Sequence, residues 1–258
     1  MPPFRDASLE SLILARMADL PADDVHDILV NEKNVDHLYH ANTVLTSCTY
    51  LRHGALLSRK VCEDHQLPQT SQYTDDDDRG FGLWNNIFLD TCDIHDRAST
   101  ANKYGPVLFI LSLDFLLGDD LDTVKITRAN PANWEVWTPA SDRWYQSIGE
   151  VQQDFSKYDF GSHLVLEETG GHLSLSQYLQ TVKLDEPRRD LDSGGRLGAM
   201  PAATGALVGA ESASEVSPSF EIRNCEAHCG CLREYERFST DEIIRRFGMK
   251  GSLSMFAD

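Results

Sequence analysis

The seven-residue run Val-Leu-Phe-Ile-Leu-Ser-Leu at 107–113, entered through Gly105-Pro106, constrains this chain more than any other segment. It is continuous and β-favouring, so it reads as a strand, and a chain that owns it is built around a sheet. It is not a membrane span. The apolar stretch from 107 to 117 contains Ser112 and Asp114 and falls far short of the ~20 residues that cross a bilayer. Shorter strands are predicted at 87–89, at 124–127, which alternates and would pair with 107–113, and at 163–167 and 178–184, with a Gly170-Gly171 turn between the last two. Helical spacing occurs at 8–20, capped by Ser8 and stopped by Pro21, at 23–30, and at 43–53, where Gly54 stands at the left-handed C-terminal position. A further helix is expected over 142–155, an extended piece over 37–40 and a polar loop over 70–78. The class is α+β.

After Pro187 the composition changes. Residues 193–219 are rich in Gly, Ala, Ser and Pro with almost no large side chains, which reads as a flexible linker. The expected organisation is a domain over 1–192 with a helical lead-in at 1–35, a linker over 193–219 and a small cysteine-containing tail over 220–258. In that tail, Ser239-Thr240-Asp241-Glu242 has the form of a capping box. The formal net charge is −18, which excludes nucleic-acid binding by general electrostatics. A nucleic-acid substrate would need a local basic groove in an acidic body. The first twenty residues have no basic n-region and carry Glu10 and Arg16 among their apolar residues, so neither a signal nor a transit peptide is expected. The expected compartment is the cytoplasm, with no membrane partner and with six reduced cysteines.

The most informative segment is Leu38-Tyr39-His40-Ala41-Asn42-Thr43, followed by Tyr50-Leu51-Arg52-His53-Gly54-Ala55-Leu56-Leu57-Ser58-Arg59. It puts a histidine at a strand end, a helix behind it, and a Gly-Ala-Leu-Leu-Ser exit. This resembles the opening of ADP-ribosyltransferases, in particular the DarT-like branch that modifies nucleic acid. The likeness extends over about residues 37 to 187. It implies a split β-sheet core with flanking helices, plus the C-terminal extension, and NAD as a substrate. It matches His40 to the histidine that hydrogen-bonds the adenosine ribose, with Thr43 beside it. Arg79, in Asp78-Arg79-Gly80-Phe81, is matched by order and spacing to the arginine acting at the cleaved N-glycosidic bond, and Arg52 is the fallback. The glutamate these enzymes need at a late strand end falls on Glu167 or Glu168, with Glu167 preferred. The resemblance also implies a nucleobase acceptor, as in toxins of toxin–antitoxin or anti-phage systems, and hence an antitoxin or immunity partner.

The chemistry suits these residue types. Cleavage of the nicotinamide–ribose bond builds oxocarbenium character, which a carboxylate stabilises. The same carboxylate can take a proton from a DNA, RNA or protein acceptor. An arginine fork fits the pyrophosphate, and an aromatic such as Tyr73, Phe81 or Trp84 would stack on nicotinamide. Each residue also has an ordinary explanation. A strand-end histidine is by default a hydrogen-bonding residue, Arg79 offsets four neighbouring aspartates, and Glu167 is a solvated carboxylate. Asp75 to Asp78 reads as a solvated acidic loop and not a metal site, lacking the glycine and terminal glutamate of a calcium loop.

Cys225, His228, Cys229 and Cys231 offer ligand types suited to zinc within seven residues. All four in one short turn would strain a tetrahedron, so reduced cysteines are preferred over a metal there. Cys48, Cys62 and Cys92 are assigned to the core. The glycine-rich dinucleotide fingerprint, the nucleophile elbow, the Walker loop and the His-Glu-x-x-His motif are absent from the sequence. The rival reading is a non-catalytic acidic module engaging basic protein partners. A metal-dependent nuclease ranks last, because lysine is scarce.

Overall fold

The 107–113 run gives a strand over its first five residues, with Val107, Phe109 and Leu111 fully buried. Ser112 then accepts the Asp114 N–H and turns the chain into a short 3₁₀ helix, Leu113–Leu117. The computed structural model describes residues 18–249 apart from 168, 193, 194 and 196. Most of the helix predicted over 8–20 therefore lies outside the described residues, as does Glu168.

In chain order the strands are β1 (Leu20–Pro21), β2 (Leu38–Asn42), β3 (Ala55–Leu57), β4 (Ile87–Asp90), β5 (Val107–Leu111), β6 (Thr123–Ile126), β7 (His163–Leu166), β8 (His172–Ser174), β9 (Leu179–Asp185) and β10 (Ser219–Arg223). The helices are α1 (Ala22–Asn31), α2 (Val44–His53), α3 (Arg59–Asp64), α4 (Asp75–Gly80), α5 (Ile94–Ala98), α6 (Ala140–Arg143), α7 (Ile148–Asp154), α8 (Ala199–Glu211), α9 (Gly230–Arg237) and α10 (Thr240–Phe247). Eight strands form one sheet in the order β1-β6-β7-β4-β2-β5-β9-β10, antiparallel except for the β9–β10 pair. β3 and β8 pair separately. The mixed helix-and-sheet class expected from the sequence is the one observed.

β6 does not pair with β5. It lies between β1 and β7, in register Lys125↔Val165. The reason is burial: β6 alternates and suits a position near the sheet edge, whereas the continuous β5 run takes a central place between β2 and β9. The register also sets the site. Tyr39 of β2 faces Asp90 of β4, and Asp90 faces His163 of β7, so three neighbouring strands bring His40, Asp90 and His163 to one region of the sheet.

α2 packs behind β2 with 44–51 buried throughout, and it ends where Gly54 adopts φ +61°, the left-handed cap that the sequence called for. Three expectations need correction. The small-residue run is not simply a linker: α8 spans 199–211 and buries Ala199, Ala203, Leu207 and Ala210 against α2. Those positions recur at helical spacing, and their small side chains allow close approach. The helix predicted over 142–155 is two helices, α6 and α7, interrupted where Trp144 bridges Thr127. The acidic 75–78 segment is the first turn of α4, where the N-terminal helix dipole favours carboxylates. Cys48, Cys62 and Cys92 are buried, and burial pushes their thiols up to about 11.

Candidate active site

A cavity opens on the β2–β4–β7 region and is lined by residues including His40, Tyr50, Arg59, Gln72, Asp75, Asp78, Asn86, Asp90, Tyr104 and His163. His40 Nδ1 lies 2.9 Å from the Phe88 carbonyl oxygen. A carbonyl only accepts, so Nδ1 carries the proton. Burial lowers the pKa of the ring and keeps it neutral, which makes Nε2 a lone-pair acceptor. Nε2 is buried and has no hydrogen-bond partner among the described residues. A hydroxyl is the group that would satisfy it.

Arg59 is the cation of this cavity. Ser58 follows β3 and caps α3, accepting the Val61 N–H at 3.1 Å. Arg59, the next residue, is 14% exposed in its side chain and bonds Asp75 Oδ2 at 2.8 Å. Its Nε and Nη1 are buried and unpartnered among the described residues. Sequence reasoning gave Arg59 no role. The available signal was its place directly after the serine that closes the motif.

Two further carboxylates line the cavity. Asp90 Oδ1 lies 3.3 Å from His163 Nδ1 and 3.7 Å from Arg97 Nη2, within ion-pair reach of both, but it accepts no hydrogen bond among the described residues. The Asp78 carboxylate accepts from Thr74 Oγ1 at 3.2 Å, and burial pushes its carboxyl up to about 6. A carboxyl raised on folding favours the native state while both states keep the proton. That advantage disappears as pH rises from the unfolded value, near 3.8, to about 6. Asp78→Asn should therefore stabilise the protein by about 2–3 kcal/mol at pH 7 and change nothing near pH 3. Urea unfolding of both proteins across this pH range checks it; a difference that does not grow with pH would refute the buried carboxyl.

Among the described residues proposed for the site from the sequence, His40 is the one that lines this cavity. Thr43 adjoins it but is fully buried, its Oγ1 bonding Thr70 Oγ1 at 2.8 Å. Arg79 falls on the outer side of α4. There it makes a two-point bond with Glu63 at 3.1 and 2.9 Å and stacks 3.6 Å over Trp84, which satisfies its charge at the surface. Arg52 is exposed in the last turn of α2. Tyr73 is 58% exposed and stacks on Tyr104, outside the cavity lining. Glu167 is 47% exposed, ion-paired with Lys125, and likewise outside the lining.

A second cleft shares Asp90, Asn130, Tyr104 and His163 with the first. It carries Arg97, Lys103, Arg237 and Arg246 together with Tyr73 and Phe160, a local excess of cations and rings on a chain whose net charge is −18. Arg97 lies 4.3 Å from the centre of the Phe160 ring. In the tail, His228 does not join the cysteines. It is 85% exposed beside Glu226, and the imidazole among the thiols is that of His95.

Among the described residues, no helix is long and apolar enough to cross a membrane. No family model matches the chain, and no curated protein matches it. Among solved structures the chain is similar to Thermus sp. 2.9 DarT in complex with ADP-ribosylated ssDNA. The two are 13% identical with a TM-score of 0.45, over 74% of this chain and 95% of that one.

Proposed function

We propose that the chain is an NAD-dependent mono-ADP-ribosyltransferase whose acceptor is a nucleic acid, with the split-sheet core that its motif resemblance implies. The observation that carries the reading is His40. It lies in the strand and motif context of that resemblance, and its one free ring nitrogen is a buried acceptor facing a cavity. That atom suits a ribose hydroxyl. Arg59, with two unpartnered buried nitrogens beside Asp75, suits the phosphates.

NAD supplies a glycosidic bond whose electrons leave with nicotinamide, and the ribose then carries positive charge. Asp90 and Asp78 are the carboxylates available in the cavity to offset that charge. The acceptor attacks the ribose carbon and must lose a proton. His163, with Nδ1 3.3 Å from Asp90, has its other ring nitrogen to receive it. The acceptor would reach His163 through the second cleft, where Tyr73, Tyr104 and Phe160 offer faces for base stacking and Arg97, Lys103 and Arg237 offer charge for phosphates. This is the local basic groove that a chain of −18 needs. A toxin or anti-phage role, a cytoplasmic site of action and an antitoxin partner would follow from such an activity.

Labelled NAD offered with separate pools of single-stranded DNA, RNA and cell protein tests the reading. Label is expected on a nucleic-acid pool, reduced at least ~10²-fold in His163→Ala and little changed in Glu167→Ala. Loss only in Glu167→Ala would move the catalytic carboxylate to the Lys125 pair. Absence of both transfer and nicotinamide release would overturn the enzyme, and salt-sensitive capture of basic proteins would then favour an acidic binding module.

A further inference from the structure

The last third of the chain returns to α5 at one point. His95 Nε2 lies 3.2 Å from Cys225 Sγ and 3.3 Å from Cys229 Sγ, and Cys231 Sγ lies 3.2 and 3.1 Å from the same two sulfurs. All four ligand atoms fall within 4.8 Å of one another. The sulfurs are too far apart to be bonded, since a disulfide is ~2.05 Å long. They form instead a four-cornered set of soft donors. Around a zinc–thiolate centre of ~2.3 Å bonds, sulfur corners stand about 3.7 Å apart, so the cluster needs only slight expansion to hold an ion.

We infer that His95, Cys225, Cys229 and Cys231 form a structural zinc site. The objection to a metal at the tail was that four ligands in one short turn would strain a tetrahedron. Three come from the turn and the fourth from 130 residues upstream, which removes the objection. Four protein ligands leave no open position, so the ion is structural and not catalytic. The scaffold is already built. Asp93 caps α5 by accepting the His95 N–H, Arg188 bonds the Cys225 carbonyl, and Glu234 bonds the Ala101 N–H. Gly230, between two ligands, packs so closely that a Cβ there would lie 2.4 Å from the Ser99 oxygen. Zinc would displace the three thiol protons and fasten the tail to the helix that carries Arg97, beside the second cleft.

Metal analysis of the full-length chain, purified without chelator under reducing conditions, tests this apart from any transferase activity. About one zinc per chain is expected, kept in His228→Ala and His95→Cys and lost in His95→Ala. Cobalt(II) added to the reduced, metal-free chain should give the intense visible bands and thiolate charge-transfer absorption of a tetrahedral site. His95→Ala should bind it weaker by at least the ~10–100-fold that outer-shell changes alone cost. The full-length wild-type chain carries the decisive readings, whether or not a variant folds. A chain free of zinc that gives no tetrahedral cobalt spectrum, a disulfide among the three cysteines of the freshly isolated protein, or zinc lost on His228→Ala would each overturn the site.

Discussion

On the proposed transferase reading, replacing His40 with alanine should lower NAD turnover ~10²–10³-fold, the range observed when one preorganised hydrogen-bonding group is removed from a catalytic site. Two effects are mixed in that substitution. Removing the ring leaves the part-buried Phe88 carbonyl without its side-chain donor, at about 1 kcal/mol of stability, and it strips the acceptor from the cavity. His40→Asn separates them, because its amide nitrogen can take the place of Nδ1 while nothing occupies the place of Nε2. Stability should largely return and turnover should not. Nicotinamide release, measured beside thermal unfolding with and without NAD, gives both quantities. A variant that keeps turnover, or an NAD-induced rise in Tm unaffected by either substitution, would remove His40 from the site.

The second large effect concerns the fold. Arg223 on β10 bonds Asp93 Oδ2 at 2.5 Å and Asp185 Oδ1 at 2.7 Å, and all three side chains are nearly or fully buried. Tyr235 of α9 donates to the other Asp185 oxygen at 2.6 Å. The two carboxylates hold the guanidinium strongly protonated. Arg223→Ala leaves both carboxylates facing a cavity with no cation, which should cost about 3–5 kcal/mol in urea unfolding. Arg223→Lys keeps the charge but loses the fork that spans two acids, so it should recover only part. A loss below about 1 kcal/mol for the alanine variant would mean that water reaches these groups.

Much of this architecture can be read from local chemistry. The β5 run, Gly54 at the end of α2 and Ser239 accepting the Glu242 N–H at 3.1 Å are decided within a few residues, and each formed as its neighbours dictate. His40 was singled out for the same reason, through a short motif, and it lines the cavity. What the sequence left unplaced depended on the third dimension. Arg79 and Arg59 stand in similar company in the sequence, yet helix phase turns one to Glu63 and the other into the cavity. His228 sits among the cysteines in the sequence, but the chain's return to α5 substitutes His95. Asp90 and His163 are 73 positions apart, and only the β4–β7 register makes them a pair. The misread of 199–211 has another cause: alanine and glycine suit both a flexible segment and a close-packed helix, and the deciding term is the face of α2 that the helix covers.

The parallel β9–β10 pair has a consequence for synthesis. β9 completes at residue 185, but the strand that covers its outer edge begins only at Ser219, after α8. While a ribosome makes that intervening stretch, β9 presents a row of unpaired amides and carbonyls, with Val182 and Leu184 alternating along it. Bare edges of this kind recruit other chains. A polypeptide ended at residue 192, near the break that composition suggests, would carry the same edge permanently and lose Arg223 from between Asp93 and Asp185. The final third of the chain thus moves the sheet's open edge from the apolar β9 to β10, a five-residue strand carrying Glu221 and Arg223, charges that blunt edge-to-edge pairing.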